Sequence, residues 1–70
     1  MWRVFVVEDD PDMREFFAAS VSRFPELTLA ANLGTVADAL AWLNQPANAI
    51  DVLLTDLGLP DGSGLEVIRH

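Results

Sequence analysis

The chain of 70 residues carries a formal net charge of −7, is 51% hydrophobic and 21% charged, and contains no cysteine. One domain at most fits this length; disulfides, thiolate metal sites and cysteine nucleophiles are excluded. Only four side chains are positively charged at pH 7, all of them arginine, which argues against direct contact with nucleic acid or an anionic membrane.

Val4-Phe5-Val6-Val7 is β-branched or aromatic throughout, as expected of a strand covered on both faces in a parallel sheet. It runs into Glu8, Asp9 and Asp10. Arg3 and Glu8 interrupt the apolar run, so no signal peptide is expected, and nothing approaches the roughly 20 apolar residues needed to cross a bilayer. A cytoplasmic location is the expectation. Asp10 followed by Pro11 reads as N-cap and first helical residue, while Asp12 with Glu15 offers an alternative capping box. Met13, Phe16, Phe17, Val21 and Phe24 recur at three- and four-residue intervals and predict a helix to about residue 24, ended by Pro25.

Leu27 to Asn32 predicts a second strand and Gly34 a turn. Thr35 then caps a helix in which Val36, Ala39, Leu40 and Leu43 share a face, closed by Asn44, Gln45 and Pro46. Val52-Leu53-Leu54-Thr55 is a third apolar strand, ending at Asp56. GLPDGSG, residues 58 to 64, reads as a loop with Asp61 as a turn residue, and Leu65, Val67 and Ile68 begin a third helix. The order β-α-β-α-β-α predicts an α/β fold with parallel strands and right-handed crossovers.

In an open parallel sheet, ligands bind beyond the C-terminal ends of the strands. If the first and third strands are neighbours, Glu8, Asp9 and Asp56 converge on one cleft. Their repulsion raises pKa values or demands a cation, and a donor set made only of oxygen suits magnesium better than zinc or copper. An aspartyl oxygen beside such an ion can attack a phosphoryl group and form an acyl phosphate. Asp56, alone at its strand tip and followed by a glycine-rich loop that lets backbone approach, is the candidate; the carbonyl of Gly58 is a further candidate ligand.

Blander readings apply to other residues. Asp10 and Asp12 serve a helix N-terminus, Arg14 either reaches back toward the cleft or, as the favoured reading, takes a surface role, Phe16, Phe17 and Phe24 belong to core or interface, Trp42 packs its helix, and His70 has no chemistry. No lysine or GxGxxG follows the first strand, which removes a nucleotide cradle. A phosphatase-like D-x-D-G strand end is broken by Gly58 in the place of the second aspartate, so no enzymatic activity is expected.

VVEDDP (residues 6 to 11) and DVLLTDLGLPDGSG (51 to 64) together resemble the receiver domain of two-component response regulators, and DLGLPDGSGLEVIR (56 to 69) is similar to regulators with a helix-turn-helix output domain. The resemblance covers the whole chain. It implies a flavodoxin-like sheet, in the family ordered 2-1-3-4-5, here a truncated receiver over residues 1–70 with three parallel strands in order 2-1-3. It also implies that Asp56 is the phospho-acceptor, that Asp9 touches magnesium directly and Glu8 through water, and that Asp56 and the Gly58 carbonyl complete the site. Pro60 and Gly64 would shape the following loop, and a histidine kinase would be the phosphodonor.

The hydroxyl and lysine that receivers carry on their fourth and fifth strands have no counterpart here, so impaired phosphorylation is expected. A short chain this rich in apolar residues exposes more hydrophobic surface than it can hide alone. The third strand, central in the family, becomes an edge. A homodimer is therefore expected, either by antiparallel pairing of edge strand 52–56 with help from neighbouring helices, or by packing of the first helices through exposed Phe16, Phe17 or Val21 without strand pairing. The alternative function is a self-associating half-domain whose acidic site is a relic.

Overall fold

β1 (Trp2–Val7) is the middle strand of a parallel sheet ordered β2-β1-β3, between β2 (Leu27–Leu33) and β3 (Val52–Thr55). The computed structural model describes residues 1–70. α1 (Pro11–Ser22) and α2 (Val36–Leu43) make the crossovers, and β4 (Gly58–Leu59), β5 (Gly62–Ser63) and α3 (Gly64–Ile68) follow β3. The expected parallel α/β arrangement and the strand order 2-1-3 are what the chain adopts.

Side chains of a strand alternate between faces, and β1 buries both. Phe5 and Val7 pack with Val36, Ala39, Leu59 and Val67 on the α2–α3 face, while Val4 and Val6 pack with Val21 on the α1 face. Trp42 lies against Phe5, with ring centroids 4.5 Å apart. That explains the unbroken apolar run at residues 4 to 7, since a polar residue on either face would be buried unpaired. β3 is similarly apolar but has a neighbour on one side only, so it is half-buried and Leu54 is 41% exposed.

α1 is shorter than its apolar stripe. It ends at Ser22 with Arg23 as C-cap, leaving Phe24 outside and exposed. The helix packs over β1 and β2, so the part of the stripe that points away from that pair remains in solvent: Val21 is buried, Phe17 is half-buried, and Phe16 is 60% exposed. At its start, the Asp10 carboxylate accepts the Asp12 N–H at 2.9 Å and Pro11 opens the helix, which decides between the two predicted caps.

The N-terminus of α2 is held twice. Thr35 Oγ1 accepts the Asp38 N–H at 3.1 Å, as predicted. Asp61, expected only to turn the chain, accepts the Val36 N–H at 2.7 Å and the Ala37 N–H at 2.9 Å. Three of the four orphan N–H groups of a helix start are thereby satisfied, one carboxylate reaching in from the segment after β3. These amides, Ala37 first and then Val36, hold the Asp61 carboxyl below the usual range. The segment predicted as a loop contains the short β4–β5 hairpin, which delivers Leu59 to the core. Ser63 and Glu66 then form a capping box for α3.

Thr35→Ala is expected to destabilise the fold by about 1 kcal/mol, with little dependence on pH. Asp61→Asn should differ. Its folded pKa is depressed, so its contribution is complete above the unfolded pKa and is lost as pH falls through the folded value. Thermal melts from neutral to acid pH should show the gap between wild type and Asp61→Asn closing in acid while the Thr35→Ala gap persists.

Candidate functional site

β1 and β3 pair in register with Val7 opposite Thr55, and the Asp56 N–H continues the ladder by donating to the Val7 carbonyl at 2.9 Å. The residue after each strand is an acid, Glu8 on one and Asp56 on the other. Because the strands are parallel, both acids leave from the same end of the sheet. Carboxylate oxygens of Glu8, Asp9 and Asp56 lie within 4.8 Å of one another. Glu8 is the enclosed member at 9% exposed, whereas Asp9 and Asp56 face solvent. The predicted convergence of these three residues is present.

Two of the three have opposite electrostatic positions. Burial pushes the Glu8 carboxyl up, and hydrogen bonding to Asp56, the charge of Asp56 and the charge of Asp9 reinforce it. Asp56 is held below the usual carboxylate range, first by the Gly58 N–H that donates to its Oδ1 at 3.0 Å and then by Glu8. Asp56 therefore keeps its charge while Glu8 resists taking one. Glu8 Oε2 is buried with no hydrogen-bond donor, so it is free to accept a cation. An all-oxygen set with one enclosed and two open carboxylates fits a hard divalent ion such as magnesium.

The residues around the acids are less as expected. Gly58 contributes its N–H to Asp56, but a Cβ there would meet nothing within 4 Å, so close approach is not what this glycine serves. Gly64 does serve it: a Cβ would overlap the Asp56 carbonyl and stand 2.7 Å from Thr55 Oγ1. Arg14 takes the less favoured of its two expected places: it is half-buried and reaches back toward the cleft, where its Nη1 donates to the carbonyls of Glu8 at 2.9 Å and Asp9 at 3.3 Å. Its signal in the sequence was slight, a single cation in the first turn of a helix that starts beside the acids. Asp10 and Asp12 stay with the helix start. Next to the acids, a cavity of about 350 Å³ is lined by Val7, Glu8, Phe17, Leu54, Thr55 and Asp56.

Residues 4–70 match the family model of the response regulator receiver domain. The chain is 38% identical over 69 residues to the DNA-binding transcriptional activator DevR/DosR of Mycobacterium tuberculosis, covering 99% of this chain and 31% of that protein. It is 34% identical over 70 residues to the transcriptional regulatory protein UhpA of Escherichia coli, covering 100% of this chain and 35% of the relative. Against the response regulator protein PilR of Pseudomonas aeruginosa it is 35% identical over 69 residues, covering 97% and 14%. It thus spans between 14% and 35% of these relatives' lengths. No solved structure matched. The chain belongs to the response regulator receiver domain family of two-component signalling.

Glu8 makes the site costly when ionised. Its folded pKa is raised, so its contribution to stability is complete below the unfolded pKa and is lost as pH rises through the folded value. Glu8→Gln is expected to melt a few degrees above wild type at neutral pH in metal-free buffer, since ~1 kcal/mol moves the midpoint of a small domain by about 4–8 °C. Calorimetry should show that advantage shrinking in acid.

Proposed function

We propose that this chain is the phosphoryl-accepting part of a receiver, with Asp56 as the phospho-acceptor and a magnesium ion held by Glu8, Asp9, Asp56 and the backbone carbonyl of Gly58. Asp9 would bind the ion directly and Glu8 through water. The reading is carried by the meeting of three carboxylates within 4.8 Å at the ends of two neighbouring parallel strands. When bound, the ion neutralises charge on the group being transferred.

The chain's own part in the reaction is nucleophilic. Asp56, kept ionised by the Gly58 amide, attacks phosphorus in a phosphohistidine of a histidine kinase; an oxygen–phosphorus bond forms, the nitrogen–phosphorus bond breaks, and an acyl phosphate remains on Asp56. With Oδ1 engaged by Gly58, Oδ2 is the attacking atom. The 70 residues contain no lysine, so a side-chain ammonium for the transferred phosphoryl has to come from outside them. Phosphorylation of the 70-residue chain alone is accordingly slow. The module receives a signal and is not an enzyme. It works in the cytoplasm, and with a net charge of −7 it does not itself bind nucleic acid.

A second reading rests on the outer edge of β3. In the 70-residue chain that strand pairs with β1 alone, and beside it Leu54 and Phe17 line an open cavity. Such an edge is a template for pairing. The chain forms a homodimer through residues 52–56, with neighbouring helices closing the apolar margin, and in this reading the acidic site is a relic.

Incubation with magnesium and a small acyl phosphate should add one phosphoryl mass to the intact chain and none to Asp56→Asn. An adduct that survives in Asp56→Asn would place the acceptor elsewhere; a folded wild type with no adduct would favour the relic. Sedimentation velocity on the same chain should show a dimer that Leu54→Lys shifts toward monomer. A wild type that stays monomeric at high micromolar concentration contradicts the pairing.

A further inference from the structure

We infer that Arg14 is a positioning residue for the acidic pair and that Gly34 reserves the space its guanidinium occupies, an inference that rests on the metal-site reading above. The β1 ladder ends at Val7, whose carbonyl accepts the Asp56 N–H at 2.9 Å, and α1 begins its own bonding at the Asp10 carbonyl, which accepts the Arg14 N–H at 2.9 Å. The carbonyls of Glu8 and Asp9 lie between, belonging to neither element, and no backbone N–H donates to them. Backbone acceptors left between two regular elements need another donor or water. Arg14 Nη1 supplies both, at 2.9 Å and 3.3 Å.

The consequence falls on the two residues whose side chains enter the cleft. Glu8 is gripped from both sides, its N–H by the Leu33 carbonyl at 2.9 Å and its own carbonyl by Arg14. Fixing those peptides fixes the directions in which the carboxylates leave the chain. Gly34, in the turn between β2 and α2, is the other half of the device. A Cβ at residue 34 would stand 2.5 Å from Arg14 Nη1 and 3.4 Å from the Glu8 carbonyl oxygen. The mobile end of the arginine would give way first, leaving the carbonyls without their donor. Asn32 anchors the base of this arrangement, its Nδ2 donating to the Arg14 carbonyl at 3.1 Å.

Charge and positioning predict opposite signs. A guanidinium beside the pocket repels a divalent ion, so by charge alone its removal tightens binding. If it acts by holding the peptides, removal loosens binding, as loss of an outer partner of a metal ligand does. The test measures manganese(II) binding to the 70-residue chain from the free-ion electron paramagnetic resonance signal, with circular dichroism reporting folding. Arg14→Ala and Gly34→Ala are each expected to weaken binding by about tenfold or more, and Arg14→Lys to recover part of it, because an ammonium keeps the charge and reaches one carbonyl. Gly34→Ala keeps every charge, so it decides the matter where Arg14→Ala fails to fold. Wild-type binding that both alanine variants equal or exceed overturns the positioning role and leaves the metal site standing. No manganese binding by wild type overturns the metal site and this inference with it.

Discussion

The pairing of β1 with β3 in the same direction governs everything at the C-terminal edge of the sheet. Val7 opposite Thr55, followed by the Asp56 N–H to the Val7 carbonyl at 2.9 Å, leaves the next side chain of each strand no choice but to emerge beside the other. An antiparallel pairing would have sent Asp56 to the far end. The pairing is itself a result of burial: Val4, Phe5, Val6 and Val7 are enclosed on both faces, which favours apolar, β-branched residues and a central place in the sheet. Hydrophobic burial thus fixes the position of the charges.

Charges brought together this way do not share their burden equally. Enclosure raises Glu8, while the Gly58 amide lowers Asp56, so the exposed strand tip carries the durable negative charge and the enclosed one resists it. One cluster thus holds two carboxylates biased in opposite directions. The loop behind Asp56 is tied down on two sides. Gly64 lets α3 begin against the Asp56 backbone, and Asp61 grips the first amides of α2. The Asp61 hydrogen bonds are thus a physical link between the loop after the acids and the start of α2.

Much of this was legible in the residues, and what was not shares a cause. The buried strand at residues 4 to 7, the Asp10–Pro11 helix start, the Thr35 cap and the convergence of Glu8, Asp9 and Asp56 each follow from local pattern plus strand order. Ser63 with Glu66 was legible too, as an S-x-x-E capping box inside a segment read as loop. Asp61 was not, because its helix starts 25 residues earlier and no local signal records that reach. The reach of Arg14 toward the cleft was one of two open readings, but its meeting with Gly34 was obscured similarly: the turn after β2 comes against the first turn of α1 only once the sheet has formed. The stripe of α1 was read too long at its end, and periodicity shows which residues share a face but not how much sheet lies beneath it: Phe16 is exposed, as an interface residue would be, whereas Val21, which was expected to share that exposed face, is buried.

The central claim is that one small divalent ion is shared by acids from two strand tips. Magnesium titration of the isotopically labelled chain, followed residue by residue in amide NMR spectra, tests it most directly. The account predicts saturable shifts concentrated at Glu8, Asp9, Asp56 and Gly58, with a single affinity for all four. Shifts confined to the other surface acids, such as Asp10, Asp12 and Asp38, or no saturation at the strand tips, would contradict it.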